Sequence, residues 1–359
     1  MIFFLNNNMK KVILVLVLIT VAATNKVFAC CGAEAIRGGA VSGPINTIPA
    51  YTIPKGNTII QLGLQHQNNG RLNGLQQFRI KQNGTETEDS YGILRPSISV
   101  AHGITDRFTM AINVPYFMNF DIKEHEHGDI EDYGDSIGWG DISLIGEYNF
   151  LKSEKHKFNA AVLAGMKFPT GNADVKNNEG KYFSTQEQPG SGSFDPMFGA
   201  ALSKSLGQFN FDANFLYKLT TEGKQNIDIG DVQSYNVAVS YPVHRFFESS
   251  MSIKEKVDYY KNRELNFVEK IVPEHIFGVD VGWDLVFEVN TTVQGAPEEN
   301  GVPRDNYGNT TVLLSPGLRM IVDNKWIANF SIGFPVIDER KGIQGGQDLN
   351  LYLGLATFF

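Results

Sequence analysis

The chain has 359 residues, among them 25 phenylalanines and 36 glycines, and a formal net charge of −8. This acidic balance disfavours a nucleic-acid-binding protein, because such proteins present a basic surface to phosphates. The two cysteines, Cys30 and Cys31, are adjacent, which excludes a scaffold held by several disulfides. After the first 29 residues no apolar stretch is long enough for a membrane-spanning helix.

The N-terminal residues have the organisation of a secretory signal peptide. Two lysines precede an apolar run from Val12 to Ala23, and a small-residue cleavage pattern ends at Ala29. We therefore predict a signal peptide over residues 1–29 and a mature chain that begins at Cys30. A cysteine at this position also resembles a lipoprotein acceptor, so lipidation of Cys30 stays open beside plain cleavage.

The segment Phe209 to Leu219 alternates apolar and polar residues with the two-residue period of a β-strand. One face carries phenylalanines and a tyrosine. The other carries Asp212 and Lys218, with Leu216 as its apolar exception. A soluble sandwich also alternates, but here the pattern returns along the whole chain without a helical segment between repeats. That repetition predicts a transmembrane β-barrel with lipid outside and water inside.

About 14 segments satisfy the period-two test, each near the 9–11 residues that a tilted strand needs to cross a membrane. They cover residues 57–67, 91–101, 107–116, 139–150, 158–168, 193–205, 209–220, 232–243, 247–259, 275–283, 285–295, 311–322, 326–337 and 349–359. We predict an all-β fold, an antiparallel up-and-down barrel of about 14 strands (range 12–16), over residues 57–359. Residues 30–56 are predicted to form an N-terminal periplasmic segment or a short plug, with a flexible tail as the alternative.

The links between these segments alternate in length. Short links such as Leu206–Gln208 and Gly282–Asp284 lie at one end, and long links such as Asn119–Gly138 and Thr170–Gly192 lie at the other. Outer-membrane barrels have short periplasmic turns and long extracellular loops, so the long links are predicted to lie outside the cell. Aromatic residues at the strand ends, Phe117 among them, predict girdles at the level of the lipid headgroups.

Charged side chains fall on the predicted inner faces and at the rim. The candidates for lumen or rim positions are Arg95, Arg107, Asp141, Glu147, Lys167, Asp195, Asp212, Lys218, Lys254, Glu288 and Arg319. In a narrow lumen opposite charges pair and tune what passes. For any single residue, simple hydration of the interior is an equal alternative, because lumen faces are polar by default.

The loop from Lys123 to Asp129 contains a metal-like cluster. His125, His127 and Asp129 are weak candidates for a Zn²⁺, Cu²⁺ or Ca²⁺ site, and a solvated acidic loop is the alternative. We therefore predict neither a metal site nor a cofactor. A catalytic triad would need a serine, a histidine and a carboxylate on one wall, and no nucleophile-elbow sequence accompanies the histidines. We predict that the chain is not an enzyme.

Several short motifs that contain glycine are typical of strand ends at the rim of a barrel, because glycine allows unusual backbone angles and proline there need not donate to the sheet. The same motifs resemble those of a known family. They are Gly138–Leu144 (GWGDISL), Lys167–Gly171 (KFPTG), Gly190–Asp195 (GSGSFD), Gly103–Arg107 (GITDR) leading to Val114–Tyr116 (VPY), and Ile53–Gly56 (IPKG) before the first strand. In these segments the chain resembles the outer-membrane transporters of the family "MetA-pathway of phenol degradation". The resemblance implies a barrel that admits small, often aromatic or hydrophobic compounds, and it brings no catalytic residues.

Together these observations predict a monomeric barrel in the outer membrane of a Gram-negative bacterium. Small hydrophobic or aromatic compounds would enter through it passively. The expected partners are those solutes, outer-membrane lipid and lipopolysaccharide, and the barrel-assembly machinery, which would meet the strand ending at Phe359. No nucleic acid is expected. A structural or adhesive barrel and an outer-membrane hydrolase stay open as alternatives, because fold does not give function.

Overall fold

The computed structural model describes residues 44–359 except 70–71, 73, 84–86, 90–91, 127–128, 245–274, 277–278, 304–307, 323–324 and 342–344. Its strands are β1 (Thr58–Asn69), β2 (Thr87–Asp89), β3 (Gly92–Thr105), β4 (Phe108–Glu126), β5 (Asp129–Trp139), β6 (Ile142–Ser153), β7 (Phe158–Phe168), β8 (Asp195–Leu206), β9 (Phe209–Lys218), β10 (Ile227–Asp228), β11 (Val232–His244), β12 (His275–Ile276), β13 (Val279–Gln294), β14 (Glu298–Glu299), β15 (Val302–Pro303), β16 (Asn309–Val322), β17 (Trp326–Arg340) and β18 (Gln347–Phe358). An α-helix, α1 (Gly74–Asn83), and a 3₁₀ turn (Lys224–Asn226) are also present. The predicted signal peptide and Cys30 lie outside the described residues.

Twelve of these strands close into an antiparallel barrel. The ring runs β1–β3–β4–β6–β7–β8–β9–β11–β13–β16–β17–β18 and returns to β1. The last strand pairs with the first, and β11 pairs with β13 from Val232↔Gln294 to Tyr241↔Leu285. Each ring strand therefore has a hydrogen-bonded neighbour on both sides, which a chain crossing an apolar layer requires.

The predicted all-β antiparallel barrel is confirmed, and its twelve ring strands lie at the lower bound of the predicted range. The segments predicted over 275–283 and 285–295 contribute to one ring strand, β13, which continues through the expected turn at Gly282–Asp284. Asp284 is buried on the inner face, in the same period of two as Glu288, so it belongs to a strand and not to a turn. The strand predicted over 247–259 lies outside the described residues.

The two ends of the barrel differ. The turns β3–β4, β6–β7 and β8–β9 and the C-terminal residue Phe359 share one end, which we call the turn end. The opposite end, the loop end, carries residues 170–192. The predicted loop Asn119–Gly138 is largely strand there, because β4 continues past the barrel wall and pairs with β5 as far as Glu126↔Asp129. Since β11 and β13 are direct antiparallel neighbours, the link between them begins and ends at the turn end, where only short turns were predicted.

The wall has an apolar outer face and a polar inner face. In β9, Phe211 and Phe215 are 42% and 37% exposed, whereas Asp212 and Asn214 are 2% and 6% exposed. The neighbouring strands β8 and β11 alternate in the same way. A soluble barrel would show the opposite arrangement, with its apolar side chains enclosed. Among the described residues, no helix has the length and hydropathy that a membrane crossing needs.

The outer face of β7 gives a direct test of the apolar surroundings. Val162 lies near the middle of β7 and is 47% exposed. Val162→Arg should lower the free energy of unfolding in a bilayer by about 2–4 kcal/mol, because a cation near the membrane midplane loses its hydration. Leu206→Arg, at the turn-end limit of β8 and 55% exposed, is the matched control and should cost about 0–1 kcal/mol. Reversible urea unfolding from phospholipid vesicles measures both; equal costs would contradict an apolar layer around the wall.

Candidate functional site

Three of the glycine-containing motifs meet at the loop end around Lys167. Its Nζ atom lies 2.9 Å from Oδ2 of Asp141 and 2.7 Å from Oδ2 of Asp195. All three side chains are buried, so the shared ammonium stabilises two carboxylates that have little access to water. We call these three residues the Lys167 cluster; it joins the ends of β6, β7 and β8.

Asp141 also ties residues 170–192 to the barrel wall. Its Oδ1 atom accepts a hydrogen bond from the backbone N–H of Gly171 at 2.9 Å. Its Oδ2 atom accepts from the backbone N–H and the hydroxyl of Ser191 at 2.9 and 2.7 Å. The carboxylate of Asp141, in the motif Gly138–Leu144, therefore holds both ends of this loop. Gly171 at one end belongs to the motif Lys167–Gly171, and Ser191 at the other end belongs to the motif Gly190–Asp195.

Gly171 and Gly190 let the two ends of the loop touch. A Cβ atom on Gly171 would lie 2.8 Å from Cα of Gly190, and a Cβ atom on Gly190 would lie 2.7 Å from Cα of Gly171. These are backbone contacts, so no side-chain rotation would relieve them. A larger residue at either position would separate the loop ends and pull Asp141 away from its donors.

Residues 170–192, which we call the roof loop, fold over the mouth of the barrel. Phe183 is buried against Ile122 and Tyr133 of the β4–β5 hairpin. The Asn119 side chain on the inner face of β4 donates a hydrogen bond to the backbone carbonyl of Glu187 at 3.2 Å. The roof loop is thus fixed to the hairpin and to the lumen wall.

A cavity of about 90 Å³ lies beneath the roof loop, among the inner faces of β3, β4, β6, β7, β8 and β9. Arg95, Lys167 and Lys218 line it together with Phe117 and Met197. The guanidinium carbon of Arg95 lies 4.9 Å from the centre of the Phe117 ring, a cation–π contact. With Asp141, which also lines it, four charged candidates from the sequence are gathered around one small space.

The prediction that Phe117 belongs to an outer girdle is wrong. Phe117 lines the cavity on the inner face of β4, four residues after the buried Asn113. Counting the period of two from Asn113 would have placed it there. Its ring packs on the backbone of Gly140, where an added Cβ atom would come within 2.3 Å of the ring.

Residues 44–57, which we call the N-terminal segment, run from the lumen to the turn end: residues 44–53 are buried or half-buried, and residues 54–57 are exposed. At the turn end the backbone N–H of Gly56 donates to the carbonyl of Gly103 at 2.8 Å. Further inside, the backbone N–H of Ala50 donates to Oγ of Ser203 at 2.8 Å, and the carbonyl of Ala50 accepts from the Asn149 side chain at 2.7 Å. The segment thus exchanges hydrogen bonds with the inner faces of β6 and β8.

Glu288 holds the innermost part of the N-terminal segment. Its carboxylate accepts hydrogen bonds from the backbone N–H groups of Ile45, Asn46 and Thr47 at 2.9–3.1 Å, and from the Asn46 side chain at 2.6 Å. Glu288 is fully buried, so these donors replace the water that a carboxylate otherwise needs. Arg319 completes the attachment, because its Nη2 atom donates to the carbonyl of Pro44 at 2.5 Å.

Ile48 of the N-terminal segment accounts for the apolar exception on the inner face of β9. The residues that share its buried apolar cluster are Ala111, Ile145, Leu163, Met197 and Leu216. Leu216 therefore shares an apolar cluster with a segment far away in sequence, in addition to Met197 of its own hairpin. No local pattern contains that information.

The other predicted charges lie apart from the cavity. Glu147 is buried on the inner face of β6, and Asp212 is buried on β9, where it accepts a hydrogen bond from Ser203 at 2.5 Å. Arg107 is exposed in the β3–β4 turn at the turn end. Lys254 lies outside the described residues.

Two of the weak metal candidates, His125 and Asp129, lie near the tip of the β4–β5 hairpin. His125 is buried in β4 and pairs with Ile130 of β5, Asp129 begins β5, and His127 lies outside the described residues. Within the described part of the chain, no three histidine, cysteine, aspartate or glutamate side chains are grouped where they could hold a metal ion.

The closed ring, the apolar outer face and the polar interior define a membrane-spanning β-barrel. Residues 106–263 match the protein family described as "Putative MetA-pathway of phenol degradation". All three motifs that form and surround the Lys167 cluster lie in this stretch. The match confirms the resemblance predicted from those motifs.

Among solved structures, an outer membrane channel from Pseudomonas putida F1 is similar with a TM-score of 0.56 and 15% identity, over 86% of this chain and 98% of that one. The transport unit of the autotransporter AIDA-I from Escherichia coli has a TM-score of 0.43 and 9% identity, over 85% of this chain and 91% of that one. A variant of the TodX monoaromatic hydrocarbon channel has a TM-score of 0.43 and 9% identity, over 86% of this chain and 91% of that one. The first likeness shows the barrel fold; the other two are too distant to bear on this chain. No curated protein matches the sequence.

The Lys167 cluster predicts a large and specific loss of stability. Lys167→Met leaves two buried carboxylates without their cation and should lower the free energy of unfolding by about 3–5 kcal/mol. The neutral triple variant Asp141→Asn, Lys167→Met, Asp195→Asn should recover part of that loss, because no charge is then left buried alone. Urea unfolding from vesicles provides the measurement.

Lys181 gives the control for this experiment. Its ion pair with Glu179, at 2.8 Å, is on the surface of the roof loop, with 66% and 41% of the two side chains exposed. Lys181→Met should leave stability unchanged within error, because solvent screens such pairs. If Lys167→Met behaved like Lys181→Met, the cluster would not hold the loop end together.

Proposed function

We propose that the protein is a channel in the outer membrane of a Gram-negative bacterium, through which small hydrophobic or aromatic compounds enter passively. The observation that carries this proposal is a closed wall, apolar outside, around a polar lumen that holds a cavity with both charged and aromatic lining. The similar structure from Pseudomonas putida F1 is an outer membrane channel, and the description of the matched family names a pathway of phenol degradation. Both agree with the proposal.

The orientation follows from the two ends of the barrel. The loop end would face the medium and the turn end the periplasm, as in other outer-membrane barrels. A solute would then meet the roof loop and the cavity first. One chain closes the ring, so no strand from a second copy is needed to form the pore, and the proposal takes the monomer as the unit that acts.

The N-terminal segment would act as the plug of this channel, within a mature N-terminal region of residues 30–56. It is bound to the lumen wall by the carboxylate of Glu288, by the side chain of Arg319 and by Ser203. Its Ile48 packs against Met197, which lines the cavity. A solute leaving the cavity for the turn end would therefore have to pass this segment.

Uptake by a deletion strain tests the function. Cells that lack the gene should take up a panel of radiolabelled aromatic compounds more slowly at low external concentration, and a plasmid copy should restore the rate. Unchanged uptake of every compound would contradict the proposal. Ester hydrolysis by the refolded protein would then favour the hydrolase, and cell adhesion lost on trimming the loops would favour the adhesive barrel.

The plug gives a prediction for conductance. Glu288→Leu removes the acceptor of three backbone N–H groups, so the N-terminal segment should be released and single-channel conductance in planar bilayers should rise at least about twofold. Deletion of residues 30–52 should raise it further. Glu154→Leu, at the β6–β7 turn, is the control and should leave it unchanged. Wild-type conductance in both test variants, with the barrel shown to be folded by circular dichroism, would rule out a plug.

A further inference from the structure

An apolar patch interrupts the polar inner face of the barrel on five neighbouring strands, β4, β6, β7, β8 and β9. We call it the lumen patch; each of its residues is at most 7% exposed, and they are Ala111, Ile145, Leu163, Met197 and Leu216. On β4 the inner residues on both sides of the patch, Thr109 and Asn113, are polar. A buried apolar surface with a polar surround is typical of a binding site for small molecules.

The lumen patch adjoins the cavity beneath the roof loop on its turn-end side. Met197 belongs to both the patch and the cavity lining. On β4 the cavity residue Asn113 lies two positions from Ala111, and on β9 the cavity residue Lys218 lies two positions from Leu216. A solute that moves from the cavity towards the turn end would therefore cross the patch.

Two glycines of the inner face make the patch flat. Gly165 of β7 pairs with Ile145, and a Cβ atom there would lie 2.4 Å from Cγ1 of Ile145. Gly199 of β8 pairs with Leu216, and a Cβ atom there would lie 3.1 Å from Cδ1 of Leu216. The Ile145 and Leu216 side chains thus lie across the bare backbone of their neighbours. A flat apolar surface suits the face of a single aromatic ring.

Ile48 of the N-terminal segment covers the lumen patch. Its side chain is 3% exposed and belongs to the same apolar cluster. Its backbone N–H donates to Oδ1 of Asn214 at 2.8 Å, and residues 44–53 belong to none of the described strands. The ring of strands is closed without this segment, so Ile48 can leave the patch while every strand pairing of the ring is kept.

The space and the lining limit the class of solute. The cavity of about 90 Å³ adjoins the volume that the Ile48 side chain occupies, so a single ring fits where Ile48 now lies. A charged ring would lose its hydration against apolar side chains, which is unfavourable. The solute that suits the patch is therefore small, flat and uncharged.

From this position, shape and cover we propose that the lumen patch is a binding site for one uncharged single-ring aromatic molecule, which takes the place of the Ile48 side chain. The inference rests on the proposed channel function and deepens it, because it names the site and couples the solute to the plug. Ile48 and the ring compete for one surface. By linkage, a bound ring weakens the attachment of the N-terminal segment, and the attached segment weakens binding of the ring.

A buried thiol in the N-terminal segment reports this displacement. Thr47 precedes Ile48, is 0% exposed, and its hydroxyl has no hydrogen-bond partner among the described residues, so Thr47→Cys removes no contact. In the full-length protein in detergent, with Cys30→Ser and Cys31→Ser, toluene should raise the rate of modification by a water-soluble maleimide at least about fivefold. An unchanged rate over the whole toluene titration would overturn the proposal.

A second buried thiol controls for a general effect of toluene. Thr185 is 4% exposed in the roof loop, so Thr185→Cys in the same background reports on a segment that does not cover the patch. Its modification rate should not change with toluene. An equal rise at both thiols would mean that toluene loosens the whole protein, which would refute a specific site.

A variant of the wall locates the site. Leu216→Asn gives the patch a polar residue and should raise the toluene concentration for half-maximal effect on the Thr47→Cys thiol about fivefold. Mere weakening of the N-terminal segment would lower that concentration, because less competition remains. Ile145→Thr provides an independent test if Leu216→Asn does not fold. An unchanged or lowered concentration in these variants would refute the assignment.

The matched control for the wall variants is Val286→Thr. Val286 shares an apolar cluster with Ile45 of the same segment and lies outside the lumen patch. Its replacement should not raise the half-maximal toluene concentration. A rise equal to that of Leu216→Asn would mean that toluene does not act at the patch.

The uptake panel separates this inference from the channel function. If uptake depends on the gene while toluene leaves the Thr47→Cys thiol protected, the binding site is refuted and the channel stands. If toluene releases the thiol and uptake of no compound depends on the gene, the channel function fails and the binding site stands.

Discussion

Backbone hydrogen bonding in an apolar layer is the constraint on which this structure depends. Each N–H and C=O group there must find a partner within the protein, because no water is available to it. The chain meets this requirement by pairing each of twelve strands with two neighbours, and the β1–β18 and β11–β13 ladders close the ring. Once the ring is closed, alternate side chains have only two environments, lipid outside and the lumen inside.

The lumen is narrow enough that its buried charges bind other parts of the chain. Lys167 binds two aspartates, one of which holds both ends of the roof loop. Glu288 binds three successive backbone N–H groups of the N-terminal segment. These contacts satisfy charges that have lost their water, and they also attach the roof loop and the N-terminal segment to the lumen wall. The same buried charges therefore stabilise the wall and hold these two segments on it.

Local periodicity accounts for what could be predicted of the fold and for where prediction failed. The alternation in Phe209–Leu219 correctly separated the lipid face from the lumen face. Asp284 was predicted to lie in a short link between two strands, yet it continues the inner face of one strand, β13. Phe117 was assigned to a girdle because it is aromatic, although its position relative to Asn113 places it inside. In both cases the period of two, continued along the strand, would have given the observed position.

The sequence by itself determined the barrel class and the direction in which most strand side chains point, because a period of two needs only neighbouring residues. Which inner side chains meet was decided by the tertiary structure. Asp141, Lys167 and Asp195 stand on separate strands, and Ile48 reaches Leu216 across the lumen. Those contacts depend on how the strands are staggered around the ring and on a segment folded inside it, and neither leaves a trace in local sequence. The cavity beneath the roof loop is a product of that closure.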